Sequence, residues 1–301
     1  MNHATDSPYT TVSLKMLVDL ARSAVGLTFH HSVIRAKQSG GYISRFKGRG
    51  MEFDQARLYQ AGDDIRSIDW RVTARTGKTH TKIFREERER PVFISVDQRH
   101  AMHFASRGIF KSVMAAKIAA LLAWVAHHHG DRCGGQLFFD THCKELKPQN
   151  GKQAVLHFLN LLAHPAQLAT APSSNEYADL ESVLHRLLSH ARPSSLLYLI
   201  SDFRGLTPHA QLQLAKLAAH CEVVLIFIYD PLEESLPNSG CYQFTQNNHY
   251  VTINANHAEQ QKAYKDHFLE KKQLLQTLAK QRSMVFIPVS TQADPLTCLK
   301  M

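Results

Sequence analysis

Between Tyr59 and Arg75 the chain reads YQAGDDIRSIDWRVTAR, with Arg57 just before it. Asp63, Asp64 and Asp69 are spaced so that they could share metal ions for phosphoryl transfer. Arg57, Arg66, Arg71 and Arg75 are interleaved with them. Guanidinium groups repel a metal cation and neutralise its ligands, and no general base or positioned nucleophile accompanies the acids. A second chemistry is nucleic-acid binding. Arg45, Lys47, Arg49 and Arg57 flank Phe46, Phe53 and Tyr59, a pattern that tracks phosphates and stacks bases. The acids in the same segment would repel that backbone, and no recognised nucleic-acid motif is present.

The preferred reading of this segment is structural. Asp63 or Asp64 caps a short helix at DDIRS by accepting from backbone N–H groups. Gly62 lets the preceding turn take a positive φ. Ile65 and Ile68 face inward at helical spacing, and Trp70 anchors the end. Arg57, Arg66 and Arg75 then pair with acids, including Glu86, Glu87 and Glu89. The segment would be an ion-paired clip fastening a basic arm to the rest of the protein, with its outer charges open to a partner.

Three further aspartates close apolar runs: Asp97 in VFISVD, Asp202 in SLLYLISD and Asp230 in EVVLIFIYD. Each run reads as a buried strand. CGGQLFFD (Cys133–Asp140) and MVFIPVS (Met284–Ser290) read likewise. Helical periodicity predicts helices over 14–25, 108–129, 152–163, 179–190, 209–220 and 257–282, with Asp179 as a cap. Tyr242–Phe244 and Tyr250–Ile253 suggest a hairpin, and HPAQLATAPSSNEY a loop. Strands alternating with helices predict an α/β fold with a mostly parallel sheet covered on both faces. Ligands of such open sheets bind at the carboxyl ends of the strands, where the aspartates stand.

Composition sets bounds. The chain has 301 residues, 44% of them hydrophobic, enough for a substantial core. The formal charge is +9. Residues 1–90 carry 16 Lys and Arg against 10 Asp and Glu, and the remainder 19 against 16, so the front third is the more basic surface. Such charge speaks to association rather than fold. Cys133, Cys143, Cys221, Cys241 and Cys298 form no C-x-x-C and match no zinc spacing, which suggests reduced thiols in a cytosolic protein. His127, His128 and His129 sit where a helix dipole favours them; a metal role would need a separate acidic or histidine partner. No signal peptide or spanning segment is read. Leu14, Leu17, Val18, Ala21 and Val25 share one helical face, which packs on the protein itself or lies on a membrane surface or a partner. The organisation expected is an N-terminal helix and linker (1–41), a basic β-rich arm with the GDDIRSIDW motif (42–90) and an α/β domain (91–301).

GRGMEFDQARLYQAGDDIRSIDWRVTARTGK, KIFREERE and VFISVDQRHAMHF, with the later HHHGDRCGGQLFFD, YLISDFRG, IYDPLEESLPNSG and STQADPL, resemble the bacterial domain-of-unknown-function family 58 from about Phe46 to the C-terminus. The resemblance implies a three-layer, Rossmann-like von Willebrand factor A-type domain, and a partnership with a MoxR-type AAA+ ATPase. In such domains Mg²⁺ is held by D-x-S-x-S after the first strand, a middle-loop Thr and a later Asp. Here the first motif reads Asp97-Gln98-Arg99-His100-Ala101, so Arg99 and Ala101 replace the serines, and Ala178 aligns with the Thr. Asp97 and Asp202 remain. Arg99 could bind both carboxylates on its planar fork, which makes the site metal-free; a weakened Mg²⁺ site is the alternative. The function implied is a non-enzymatic, chaperone-like adaptor of the ATPase, cytoplasmic or peripheral to the inner membrane, with an unidentified client. Nucleic-acid binding through the basic arm is the alternative. The chain has no G-x-x-x-x-G-K-[ST] phosphate loop, so ATP hydrolysis would belong to the partner.

Overall fold

The computed structural model describes residues 7–28, 51–86, 90–164, 179–237, 239–246 and 249–300. By contact the chain divides into two units, Met1–Ser32 with Arg90–Met301, and Val33–Glu89. In the smaller unit β1 (Met51–Leu58) pairs antiparallel with β2 (His80–Glu86). A 3-10 turn, Ile65–Ser67, and the short helix α1 (Trp70–Thr76) fill the connection between them.

The larger unit opens with helix αN (Leu14–Ser23), capped by the Ser13 hydroxyl. Its sheet has six strands: β3 (Pro91–Asp97), β4 (Arg132–Phe138), β5 (Cys143–Gln149), β6 (Leu196–Ser201), β7 (Glu222–Tyr229) and, after a small β8–β9 hairpin (Cys241–Gln246 and His249–Asn254), β10 (Val285–Ser290). The spatial order is β10-β7-β6-β3-β4-β5, parallel except for β5. From β3 the chain winds outward to β4 and β5, then returns to β6 on the other side of β3. The winding therefore reverses between β3 and β6, the place where open sheets of this kind form a ligand crevice.

The expected strands match those parallel runs, because β3, β4, β6 and β7 are buried on both faces. Val92, Ile94, Val96, Tyr198, Ile200, Val224, Ile226 and Ile228 face one layer; Phe93, Leu197, Leu199, Val223, Leu225 and Phe227 face the other. The first layer holds αN, α2 (Lys111–His128), α3 (Lys152–Ala163) and the terminal α4 (Pro295–Leu299). The second holds α5 (Leu180–His190), α6 (Pro208–His220) and α7 (Ala258–Gln281). Asp179 caps α5 as expected, accepting from Ser182 N at 2.8 Å.

Three features depart from the expectations. β5 is an antiparallel edge strand whose CKELKPQ sequence has no apolar run, and charge and proline are what edges tolerate. Its close approach to β4 depends on glycine, since a Cβ on Gly134 would lie 2.6 Å from Pro148 N; on the other side of β4, a Cβ on Gly135 would lie 2.5 Å from Ile94 O of β3. The helix expected from residue 108 starts at Lys111. Gly108 has φ +80°, and a Cβ there would meet Thr291 O at 2.8 Å. In αN, Leu17 is fully buried, and Leu14, Val18 and Ala21 pack on the same core. Trp124 Nε1 on α2 donates to Leu17 O at 3.0 Å, which satisfies a buried indole. Val25 lies beyond the helix end and is exposed rather than part of the stripe.

Candidate functional site

Asp97 ends β3 and Asp202 follows β6, so the topological reversal brings them together. The chain after Asp97 folds back, and Arg99 N donates to Asp97 Oδ1 at 3.0 Å. The Arg99 side chain then grips the same carboxylate: Nε lies 3.0 Å from Oδ1 and Nη2 2.7 Å from Oδ2. The Ser201 hydroxyl donates to Oδ2 at 2.6 Å. Burial raises the Asp97 carboxyl above its ordinary range, opposed by the Arg99 hydrogen bonds. Every contact it makes here is a donor, as a carboxylate requires.

The guanidinium of Arg99 gives Nε and Nη2 to Asp97, and Nη1 donates to Arg204 O at 3.1 Å. Its Nη2 reaches Asp202 Oδ1 only at 3.8 Å, an ion contact too long for a hydrogen bond. Arg99 thus forms the expected ion pair with both carboxylates, hydrogen-bonded to Asp97 and at longer range to Asp202. The main partner of Asp202 is Lys111, the first residue of α2, whose Nζ lies 3.0 Å from Asp202 Oδ2 and 2.8 Å from Glu233 Oε1. Lys111 is 0% exposed. Glu233 belongs to the turn Pro231–Glu234, where its other oxygen accepts from Asp230 N at 2.9 Å in a capping box. Arg204 donates its N–H to Asp202 Oδ1 at 2.9 Å, and its guanidinium lies 3.9 Å from both Asp202 and Glu233.

Charge balance sets the protonation here. Burial alone would raise Asp202, but Lys111, Lys271 and the Arg204 N–H hold it well below the usual carboxylate range. Burial would lower Lys111, but Asp202 and Glu233 hold it above its ordinary value. Phe203, between Asp202 and Arg204, has φ 53°, an uncommon conformation for a bulky residue; its N–H donates to Ser201 Oγ at 2.8 Å. Asp230, the third strand-end aspartate, does different work. It accepts from Ser106 N at 2.9 Å and Thr291 Oγ1 at 2.7 Å, latching the segment before α2 to the ends of β7 and β10.

Mg²⁺ demands near-octahedral oxygen ligands. Here N–H donors of Arg99 and the Lys111 ammonium occupy the oxygens of Asp97 and Asp202. Ala101 lies in a 3-10 turn, His100–Met102, and offers no hydroxyl. The residues present do not fit that ion. Ala178 lies outside the described residues. Among the described residues no three His, Cys, Asp or Glu are grouped to hold a metal, the His127–His129 run included.

In the smaller unit the motif makes caps. Asp64 caps the 3-10 turn, accepting from Arg66 N at 2.9 Å, and Asp69 caps α1, accepting from Arg71 N at 3.1 Å and Val72 N at 3.2 Å. Asp63 takes Arg57 Nη2 at 2.7 Å and Gln60 N at 2.9 Å, and Tyr59 donates to Asp63 O at 3.3 Å. Gly62 has φ +104°, as its turn requires. Ile68 is buried, but Ile65 is 66% exposed and Trp70 67% exposed. The inward Ile65 and the anchoring Trp70 are thus corrected: Ile68 follows the 3-10 turn in an extended conformation and bridges to Thr81 of β2, so it does not share a helical face with Ile65. Trp70 opens α1 and does not close it. Arg66 and Arg75 are exposed and form no ion pair among the described residues. Residues 42–50 and Glu87 and Glu89 lie outside the described residues, as do the side chains of Phe53 and Glu86.

Sequence reasoning missed Lys111, Glu233 and Arg204. Glu233 had a signal in Asp230-x-x-Glu233, a capping-box spacing. Lys111 had none, since a lysine at a helix start reads as solvated.

Comparison with known proteins places these residues in a wider group. The family described as "Protein of unknown function DUF58" matches residues 55–274. The uncharacterized proteins Mb1516 of Mycobacterium bovis and Rv1480 of Mycobacterium tuberculosis are 29% identical to this chain over 201 residues, 67% of this chain and 62% of theirs. The chain thus spans 62% of the length of these relatives. Among solved structures, an aerotolerance-related membrane protein from Bacteroides fragilis aligns at TM-score 0.44 and 14% identity, over 70% of this chain and 95% of that one. The conserved hypothetical protein BatB from Bacteroides thetaiotaomicron aligns at TM-score 0.40 and 12% identity, over 67% and 90%. Among the described residues no helix is long and apolar enough to cross a membrane.

Proposed function

The chain belongs to the DUF58 family, and we propose that it is a non-enzymatic adaptor that docks on a MoxR-type AAA+ ATPase and holds a client protein for chaperone-like maturation. Its larger unit is taken as a von Willebrand factor A-like domain whose metal-ion site has become a metal-free ion cluster. One observation carries this reading. At the carboxyl ends of the strands, where an enzyme of this topology would keep its reactive groups, the acids are already bound: Asp97 by Arg99 and Ser201, Asp202 by Lys111. No free general base remains beside a nucleophile among these groups. The smaller unit supports contact with a protein, since Ile65 and Trp70 are exposed beside exposed Arg66, Arg71 and Arg75. Trp and Arg are the residues that most often dominate protein interfaces.

The test is a pull-down of the tagged protein from its native cytosol at moderate salt, with nuclease and with ATP or ADP. Nucleotide-dependent recovery of an AAA+ ATPase is expected. Recovery of no ATPase, with nucleic acid appearing once nuclease is omitted, overturns the reading in favour of a nucleic-acid-binding arm.

A further inference from the structure

Helix α1 has two unlike sides. Thr73 Oγ1 accepts from His80 N at 3.0 Å, and Thr76 Oγ1 lies 3.2 Å from His80 Nδ1, so that side is turned to the start of β2. Half-buried Val72 lies with them. At 3.6 residues per turn Trp70, Arg71, Ala74 and Arg75 fall on the opposite arc, and all four are exposed. Every polar side-chain group on that arc is a donor, one indole N–H and two guanidinium groups, and none of them can accept. Among the described residues the side chains of Trp70, Arg71 and Arg75 make no hydrogen bond or ion pair.

The acids that alternate with these residues in the sequence do not stand on the arc. Asp69 is 8% exposed, and its carboxylate accepts from Arg71 N and Val72 N. Asp63 takes Arg57 Nη2, and exposed Asp64 accepts from Arg66 N. The outer face of α1 is thus cationic and asks for acceptors.

Three kinds of partner are rich in acceptors. A lipid surface binds in proportion to the apolar area it buries, and here that area is one indole and one alanine methyl. A nucleic-acid strand carries a charge at each nucleotide and would meet exposed Asp64 beside Arg66. A protein surface can set carboxylates opposite two arginines, leave the rest neutral and offer a pocket to the indole.

We propose that the outer face of α1 docks on an acidic surface of a partner protein, with Trp70 in an apolar pocket and carboxylates accepting from Arg71 and Arg75. That a protein is bound rests in part on the adaptor reading; that its surface is acidic rests on this face.

Trp70 reports on its own site. The chain has two tryptophans, and Trp124 is 3% exposed against 67% for Trp70, so the neutral quencher acrylamide reaches Trp70 first. Trp70→Phe identifies its share of the fluorescence. The probes are a blocked peptide of alternating Glu and Leu and the same peptide with Gln for Glu, each added to the full chain. The Glu peptide should protect Trp70 at about tenfold lower concentration than the Gln peptide, the scale of one charge-assisted bond, and added salt should shrink the difference. Arg71→Gln with Arg75→Gln should abolish it. Lys262→Gln with Lys280→Gln, which removes the same charge from exposed positions of α7, should preserve it. Thermal melting confirms that each variant folds. Equal protection by the two peptides, no protection by either, or a difference that survives the arginine variant overturns the proposal. So does protection by phosphatidylglycerol vesicles or oligothymidylate at a lower concentration of anionic groups than the Glu peptide needs, which would make the face a lipid or nucleic-acid site. No ATPase is present in this assay. Protection without ATPase recovery in the pull-down removes the ATPase and keeps the acidic-partner face; recovery without protection keeps the ATPase and removes the face.

Discussion

Lys111 Nζ lies 3.0 Å from Asp202 Oδ2 and 2.8 Å from Glu233 Oε1, with its side chain sealed from solvent. One ammonium therefore ties the start of α2 to the end of β6 and to the turn after β7. A buried pair of this kind adds little over an apolar substitute, but removing one partner leaves an uncompensated charge. Lys111→Met should therefore cost about 3 kcal/mol. The double variant Lys111→Met with Asp202→Asn should lose less than Lys111→Met alone, because the stranded carboxylate is gone. Urea titration of the parent, the two single variants and the double variant measures these differences. A double variant weaker by the full sum of the single effects would show that the two residues do not act as a pair.

The same cluster makes a prediction about metal. With Arg99 and Lys111 occupying the carboxylates, millimolar Mg²⁺ should leave the thermal midpoint unchanged and give no binding heat. A ligand that binds the folded state raises the midpoint by mass action. A Mg²⁺-dependent rise that Asp97→Asn abolishes would show a resident metal site.

Acid should weaken the fold through two carboxylates. Burial alone would raise both, but Lys111 holds Asp202 low, and hydrogen bonds from Ser106 and Thr291 hold Asp230 low. A depressed folded value means stability that is fully present above the unfolded carboxylate value of about 4, and lost as pH falls through the folded value. Stability in urea should therefore be lower at pH 3 than at pH 6. The gap should narrow in Asp202→Asn, even though that variant is weaker at pH 6.

The parallel strands were legible because each is a near-continuous apolar run, buried on both faces in β3, β4, β6 and β7. Asp97 and Asp202 were legible as strand-end acids, and Arg99 as a cation beside them. β5 was not, because an edge strand carries charge and proline where a central strand carries valine. Lys111 was not, because its burial is set by the return of the chain to β6 beside β3, a relation no local pattern holds. Ile65 misled for a local reason: Ile68 lies beyond the 3-10 turn in an extended conformation, so the two isoleucines do not share a helical face.

The smaller unit separates structural from contact residues. Asp69 accepts two backbone N–H groups at the start of α1, so Asp69→Ala should cost about 1 kcal/mol, the usual loss for a cap. Asp63→Ala, which strands Arg57 and Gln60 N, should also destabilise the unit. Trp70 and Ile65 are exposed, so Trp70→Ala and Ile65→Ala should stay within about 0.5 kcal/mol of the parent. Hydrogen exchange of amides in β1, β2 and α1 reads these changes locally. If the exposed pair serves a partner, Trp70→Ala should cut recovery of the ATPase several-fold while exchange protection is unchanged. Loss of protection in Trp70→Ala would instead return the tryptophan to a structural role, and take the arm's exposed face out of the adaptor reading.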